Sequence, residues 1–231
     1  MNQVSGRRLA SALGLWLLLG VILLGPTYAI LRFGLPSAFV AHRAAVGAVL
    51  IVEAYAALLA AVLIAFGGWR GLRDRLGFRF TSFADLGLAI ATWLGALVVG
   101  AVATVLLSPL LGVPRSNAAD LLGRSYDPVF IALIVPTICV LAPACEELLF
   151  RGALYGWLRS RLPPLVAALL SAAAFAGAHL LLPLFPELFV FGLAAAWIYQ
   201  RTGSTLNSFA MHASQNTLAV VATYLLLSRP G

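Results

Sequence analysis

The chain has 231 residues, 62% of them hydrophobic and 10% charged, with a formal net charge of +7. A soluble domain carries roughly a quarter of its residues as charges, so this composition excludes one and describes a polytopic membrane protein. The basic residues are all arginines, spread over short loops between apolar runs, which suits anionic lipid headgroups and argues against a nucleic-acid partner.

A helix needs about 20 apolar residues to cross about 30 Å of hydrocarbon. By that measure the chain predicts spans at 9–31, 45–68, 84–108, 128–150, 164–182, 187–200 and 205–227. The expected fold class is therefore all-α, a polytopic transmembrane helix bundle of about seven spans. The range is six to eight, because the sixth is short and follows the tight "LLPLFPEL", as a reentrant or broken element would. Arg7 and Arg8 precede a first run too long for a signal peptide, and further spans follow, so an uncleaved first helix is expected. Pro109 and Pro114 close the third span, and "RSNAADLLGRSYD" at 115–127 reads as an interfacial segment. Residues 1–124 thus hold N-terminal spans with an arginine-rich loop, and 125–231 hold the spans with the chemistry.

Loop arginines orient the bundle. Arg7, Arg8, Arg70, Arg73, Arg75, Arg79, Arg159, Arg161 and Arg201 fall on the side of the N-terminus; Arg32, Arg43, Arg115, Arg124 and Arg229 fall on the other. Nine against five places the N-terminus in the cytoplasm. Arginine without lysine also fits a GC-rich genome, and with the compact architecture points to a bacterial plasma membrane. Cys139 and Cys145 lie six apart in one apolar run, too close for a disulfide within a helix, and read as small core residues.

Charges at mid-membrane are costly and mark sites or paired interior contacts. Glu53 stands alone in "IVEAYAAL", where it either lines a cavity or bonds to a neighbouring helix. "CEELLFRG" is denser. Glu147 and Arg151 are four apart, with the glutamate nearer the N-terminus as a helical ion pair prefers. Glu146 points about 100° away and has no such partner, so it is free to act as general acid or base. The bland alternative is that all three charges only hold helices together.

Depth brings further residues into reach. Positions 146 and 179 are equally far from the "RSRLPP" turn, so Glu146 and His179 should lie level, about 20 Å along their helices. Phe175 lies one turn before His179. On the last span, His212 and Asn216 share a face, with Asn216 near the same depth. A base, an imidazole beside it and two hydrogen-bond donors form a hydrolytic constellation.

These residues carry a resemblance. "APACEELLFRGALY", "LSAAAFAGAHL" and "FGLAAAWIYQRTGSTLNSFAMHASQNTL" resemble the three motifs of the CPBP intramembrane proteases, the CAAX-protease and bacteriocin-processing (Abi) family. EExxxR maps onto Glu146, Glu147 and Arg151, FxxxH onto Phe175 and His179, and HxxxN onto His212 and Asn216. The resemblance covers about residues 125–228. It implies an endopeptidase in which Glu146 and His179 activate a water, His212 and Asn216 hold the oxyanion, and Glu147 with Arg151 fixes the helix. The implied partner is a membrane-embedded or membrane-associated peptide or protein. Two histidines and a carboxylate make zinc possible. Without HExxH, and with an asparagine beside the second histidine, a reaction without cofactor is favoured. Two other readings stay open: a non-catalytic scaffold or immunity protein that binds a partner helix, and a proton-coupled transporter.

Overall fold

The computed structural model describes residues 4–37, 42–113 and 128–227; the segment at 115–127, with Arg115 and Arg124, and Arg229 lie outside them. Among the described residues there are helices and no strand. In chain order they are α1 (Gly6–Ala29), α2 (Arg43–Phe66), the short α3 (Gly68–Asp74), α4 (Phe83–Leu111), α5 (Pro128–Arg159), α6 (Pro164–Ala178), α7 (Phe185–Thr202) and α8 (Thr205–Leu227).

The helix ends follow from local chemistry. Ser5 caps α1 by accepting a bond from Arg8 N, and Ser82 caps α4 through Asp85 N. Gly67 closes α2 in the left-handed region at φ 92°, a conformation that costs glycine little. In α5 the bonding loosens to the π pattern over Thr137–Leu141, immediately after Pro136, which has no N–H to give, and again over Leu148–Tyr155. Such π segments gather at functional sites. The second one begins directly after Glu147.

Among the described residues, five helices are long and apolar enough to cross a membrane: Gly6–Gly34, Ala44–Phe66, Phe83–Leu111, Pro128–Arg159 and Leu182–Thr202. The bundle is accordingly that of an integral membrane protein. Two long helices fall outside that set for separate reasons. The α8 helix is polar along the face that holds Asn207, Ser208, His212, Gln215 and Asn216. The α6 helix has only 15 residues.

This shifts one expectation. The span foreseen at 164–182 ends at Ala178, so His179 is the residue that caps the helix, not an interior one. Leu180 then takes φ 55° and a short turn, Leu182–Leu184, leads into α7. The break foreseen at the tight "LLPLFPEL" and the short sixth span thus lies at Leu180–Leu184, ahead of α7, which is itself regular through 18 residues.

Five of the arginines placed on the N-terminal side, Arg8, Arg70, Arg73, Arg75 and Arg79, line two crevices at one end of the bundle. Arg8 reaches the carbonyl of Ala65, and it lines one crevice with Arg70 and Arg75. A second crevice holds Arg73, Arg75 and Arg79 beside Gly203.

At this end the segment 75–81 clasps α5 and the start of α8. A Cβ on Gly152 of α5 would come within 2.9 Å of Leu76 Cβ, and one on Gly77 within 2.5 Å of Gly203 O. Thr205 N donates to Gly77 O at 3.0 Å, Ser204 Oγ to Arg79 O at 2.6 Å, and Asn207 Nδ2 to Thr81 Oγ1 at 2.9 Å. The start of α8, and so the height of His212, is set by these bonds. Between α6 and α7 the backbones also approach closely, since a Cβ on Gly192 would meet Ala172 Cα at 2.9 Å. Small residues permit such contact where water does not drive association.

Candidate active site

The three motifs converge on one point. Glu146 leaves α5 into the bundle interior, where His179 Nε2 lies 3.9 Å and His212 Nε2 3.8 Å from its Oε2. Two imidazoles and one carboxylate from three helices thus face one another across gaps slightly too long for direct hydrogen bonds. The equal-depth argument from the "RSRLPP" turn is met by these distances.

Each imidazole is held by its other nitrogen. His179 Nδ1 lies 2.8 Å from the carbonyl of Phe175. A carbonyl only accepts, so Nδ1 carries a proton and, in the neutral ring, Nε2 is an acceptor aimed at Glu146. His212 Nδ1 lies 2.9 Å from Glu147 Oε1, so it too donates. His212 donates through Nε2 as well only when its ring carries both protons.

Glu147 is therefore more than a brace. Its Oε1 accepts both His212 Nδ1–H and Arg151 Nη1, the latter at 2.7 Å, and Glu147 and Arg151 are both fully buried. The expected i, i+4 pair is present despite the π segment. The Arg151 guanidinium lies 4.3 Å above the Phe175 ring, which packs edge-on to His179 and His212 at centroid distances of 4.8 and 5.5 Å. Phe175, the first residue of the second motif, spaces the two histidines and gives the buried cation a π face.

Asn216 lines the same cavity and spends one N–H on the carbonyl of Ile138 at 2.9 Å, leaving the other available. All seven residues picked from the sequence are thus in or directly behind one site.

The sequence reading passed over Tyr55. Its hydroxyl donates to Glu146 Oε1 at 2.6 Å from α2, outside all three motifs. Glu53, two residues earlier, was the one that stood out as a charge; it accepts a bond from Thr27 of α1 at 3.0 Å and lines neither of the cavities below. It is helix-to-helix bonding, one of the two readings left open. Gln215, next to Asn216, also escaped notice: it accepts from Trp93 Nε1 at 2.6 Å and donates to Glu187 at 3.0 Å. The two cysteines are free, and Cys145 is buried, as their spacing foretold.

Two cavities meet at Glu146. One, of about 410 Å³, is lined by Glu187, Gln215, Asn216 and His212 among others. The second, of about 600 Å³, is apolar and lies between α1, α2 and α5, with Leu9, Trp16, Leu58 and Phe150 in its walls. Ile51, Tyr55, Glu146 and His179 belong to both. An extended chain laid across this shared wall would have one part in each chamber. As for metal, no group of three His, Cys, Asp or Glu side chains among the described residues is arranged to hold an ion. One oxygen of Glu146 is also engaged by Tyr55. No step below runs through a metal ion.

Comparison with known proteins agrees with the motifs. Residues 128–218 match the model of the family described as type II CAAX prenyl endopeptidase Rce1-like. An uncharacterized 24.3 kDa protein of Escherichia coli is 34% identical over 136 residues, which are 56% of this chain and 62% of that protein. The chain thus spans less than two thirds of the length of this curated relative. No solved structure matches the chain.

Proposed function

Taking residues 128–218 as a member of the Rce1-like family, consistent with the CPBP resemblance, we propose that the protein is an intramembrane endopeptidase of glutamate type. Its substrate would be a membrane-associated peptide or protein. The observation that carries this reading is the convergence of His179 Nε2 and His212 Nε2 on one carboxylate oxygen of Glu146, at a cavity large enough for a peptide.

The steps follow from the donors and acceptors present. A water bridging Glu146 and His179 closes the 3.9 Å gap between them, because each bond to it is about 2.8 Å. The Glu146 carboxylate removes one proton as the water oxygen attacks the peptide carbonyl carbon, while neutral His179 accepts a bond from the other O–H and holds the water in line. The oxyanion that forms is met by His212 Nε2–H, its ring charged against Glu147, and by the free N–H of Asn216. One such donor is worth about 3 kcal/mol of transition-state stabilisation. Protonated Glu146 then returns its proton to the leaving nitrogen as the C–N bond breaks, and the hydroxyl proton left from the water passes to the freed amine, giving a carboxylate, an ammonium and a regenerated base. Tyr55 keeps the second oxygen of Glu146 fixed throughout. In this reading the N-terminus faces the cytoplasm of a bacterium, as the grouped arginines favour.

The test is a substrate-trapping comparison. Tagged wild-type and Glu146→Gln proteins are purified from host membranes, and their associated proteins are sized and identified. A membrane protein that accumulates intact on the variant and is shortened by the wild type is the expected result. Identical partners of unchanged length on both would overturn the protease in favour of a scaffold.

A further inference from the structure

Glu187 lines the same cavity as Glu146, and the steps above give it no task. It stands in the first turn of α7, just past the turn that follows His179. Its position is defined from two sides. Gln215 Nε2 donates to its Oε1 at 3.0 Å, and the amide cannot flip, because its oxygen already takes the Trp93 indole N–H at 2.6 Å. On the second side Gly100 of α4 makes room: a Cβ there would meet Glu187 Cγ at 3.2 Å. Two helices thus hold one carboxylate at the wall of the cavity, one residue along α8 from Asn216.

The charge balance of that cavity is uneven. Among the described residues its lining contains two carboxylates, Glu146 and Glu187, and no arginine; the whole chain has no lysine. Beside Glu187 a negative group meets a like charge in surroundings of low dielectric, whereas a cation finds a partner already oriented. Resting on the protease reading, we propose that Glu187 is a specificity-determining residue. It selects substrates that bring an ammonium or guanidinium group into this cavity, and it disfavours those that bring a free C-terminal carboxylate there. That cation is either a basic side chain close to the cleaved bond or the amino terminus of a short peptide.

The full chain, reconstituted in phosphatidylcholine vesicles, tests this with internally quenched apolar peptides. The peptides carry one arginine, glutamine or glutamate scanned over the residues flanking the cleaved bond, each with a free or acetylated N-terminus and a free or amidated C-terminus. Wild type is expected to prefer the cation at one position by about tenfold or more in kcat/KM, as close charge pairs at interfaces do. Loss of the preference on N-acetylation identifies the amino terminus as the source; its persistence identifies the side chain. Glu187→Gln should flatten the preference, and Glu187→Arg should reverse it, so that the glutamate peptide becomes the better substrate. That gain cannot come from misfolding. Equal selectivity of wild type and Glu187→Gln, with Glu146→Gln inactive, would overturn this proposal alone. Cleavage by Glu146→Gln at the wild-type rate would overturn the protease reading and this proposal with it.

Discussion

The hydroxyl of Tyr55 donates to Glu146 Oε1 at 2.6 Å, and both side chains belong to the wall between the two cavities. Glu146 thus has one oxygen bound from α2 and the other turned toward two imidazoles. The proposed base is held by a helix that lies outside the matched family segment.

Tyr55→Phe should therefore lower kcat by about 10- to 100-fold, the range expected for a lost hydrogen bond to a charged group, with KM little changed. Steady-state cleavage of a trapped substrate by the variant measures this. An unaltered kcat would show that Tyr55 does not position the base.

Arg151 is fully buried against Glu147 and the Phe175 ring. Arg151→Met leaves the Glu147 carboxylate without its cation, and breaking such a pair costs about 3–5 kcal/mol. The variant should show a sharply lower Tm and yield in detergent, whereas Glu146→Gln should unfold with the wild type. Thermal unfolding followed by tryptophan fluorescence distinguishes the two.

Chelators should leave cleavage intact. The geometry around Glu146 fits a water held by side chains, and the steps proposed need no ion. Activity after dialysis against 1,10-phenanthroline, with and without added zinc, checks this; loss on chelation with recovery on zinc would sink the metal-free scheme.

The clasp makes a prediction about stability. Gly77 has φ 76°, and a Cβ there would approach Gly203 O to 2.5 Å. Gly77→Ala should destabilise by more than the ~1 kcal/mol that the backbone conformation alone costs. Gly14→Ala, where a Cβ meets nothing within 4 Å, should be neutral or slightly stabilising. Paired melting curves in one detergent report the difference.

Some of this was legible from spacing and some was not. Glu146, His179, His212 and Asn216 are polar groups in apolar runs, and helical rise alone predicts a common depth for Glu146, His179 and Asn216, while it puts His212 about a turn short of the level at which it meets Glu146. Tyr55 is different: a tyrosine in an apolar run is ordinary, so nothing local separates it from a core residue, and the neighbouring charge of Glu53 drew attention instead. The end of α6 was hidden as well. The run after His179 stays apolar to Phe185 except for Pro183, and hydropathy does not register a backbone that turns at Leu180. The dual role of Glu147 was half visible: the i, i+4 partner follows from sequence, whereas the bond to His212 needs α8 in place, and that placement depends on the 75–81 segment.

That dependence bears on modularity. The family match begins at residue 128, and a reader of domain boundaries would cut the chain there. Yet the proposed base is steadied by Tyr55, the Gln215 amide beside Asn216 is locked by Trp93, and the first turn of α8 is pinned by Gly77, Arg79 and Thr81. All five lie upstream of the boundary. The matched segment holds the motif residues but not the groups that fix them. Transplanting it onto other N-terminal helices would carry over the reactive groups without the parts that keep them aligned.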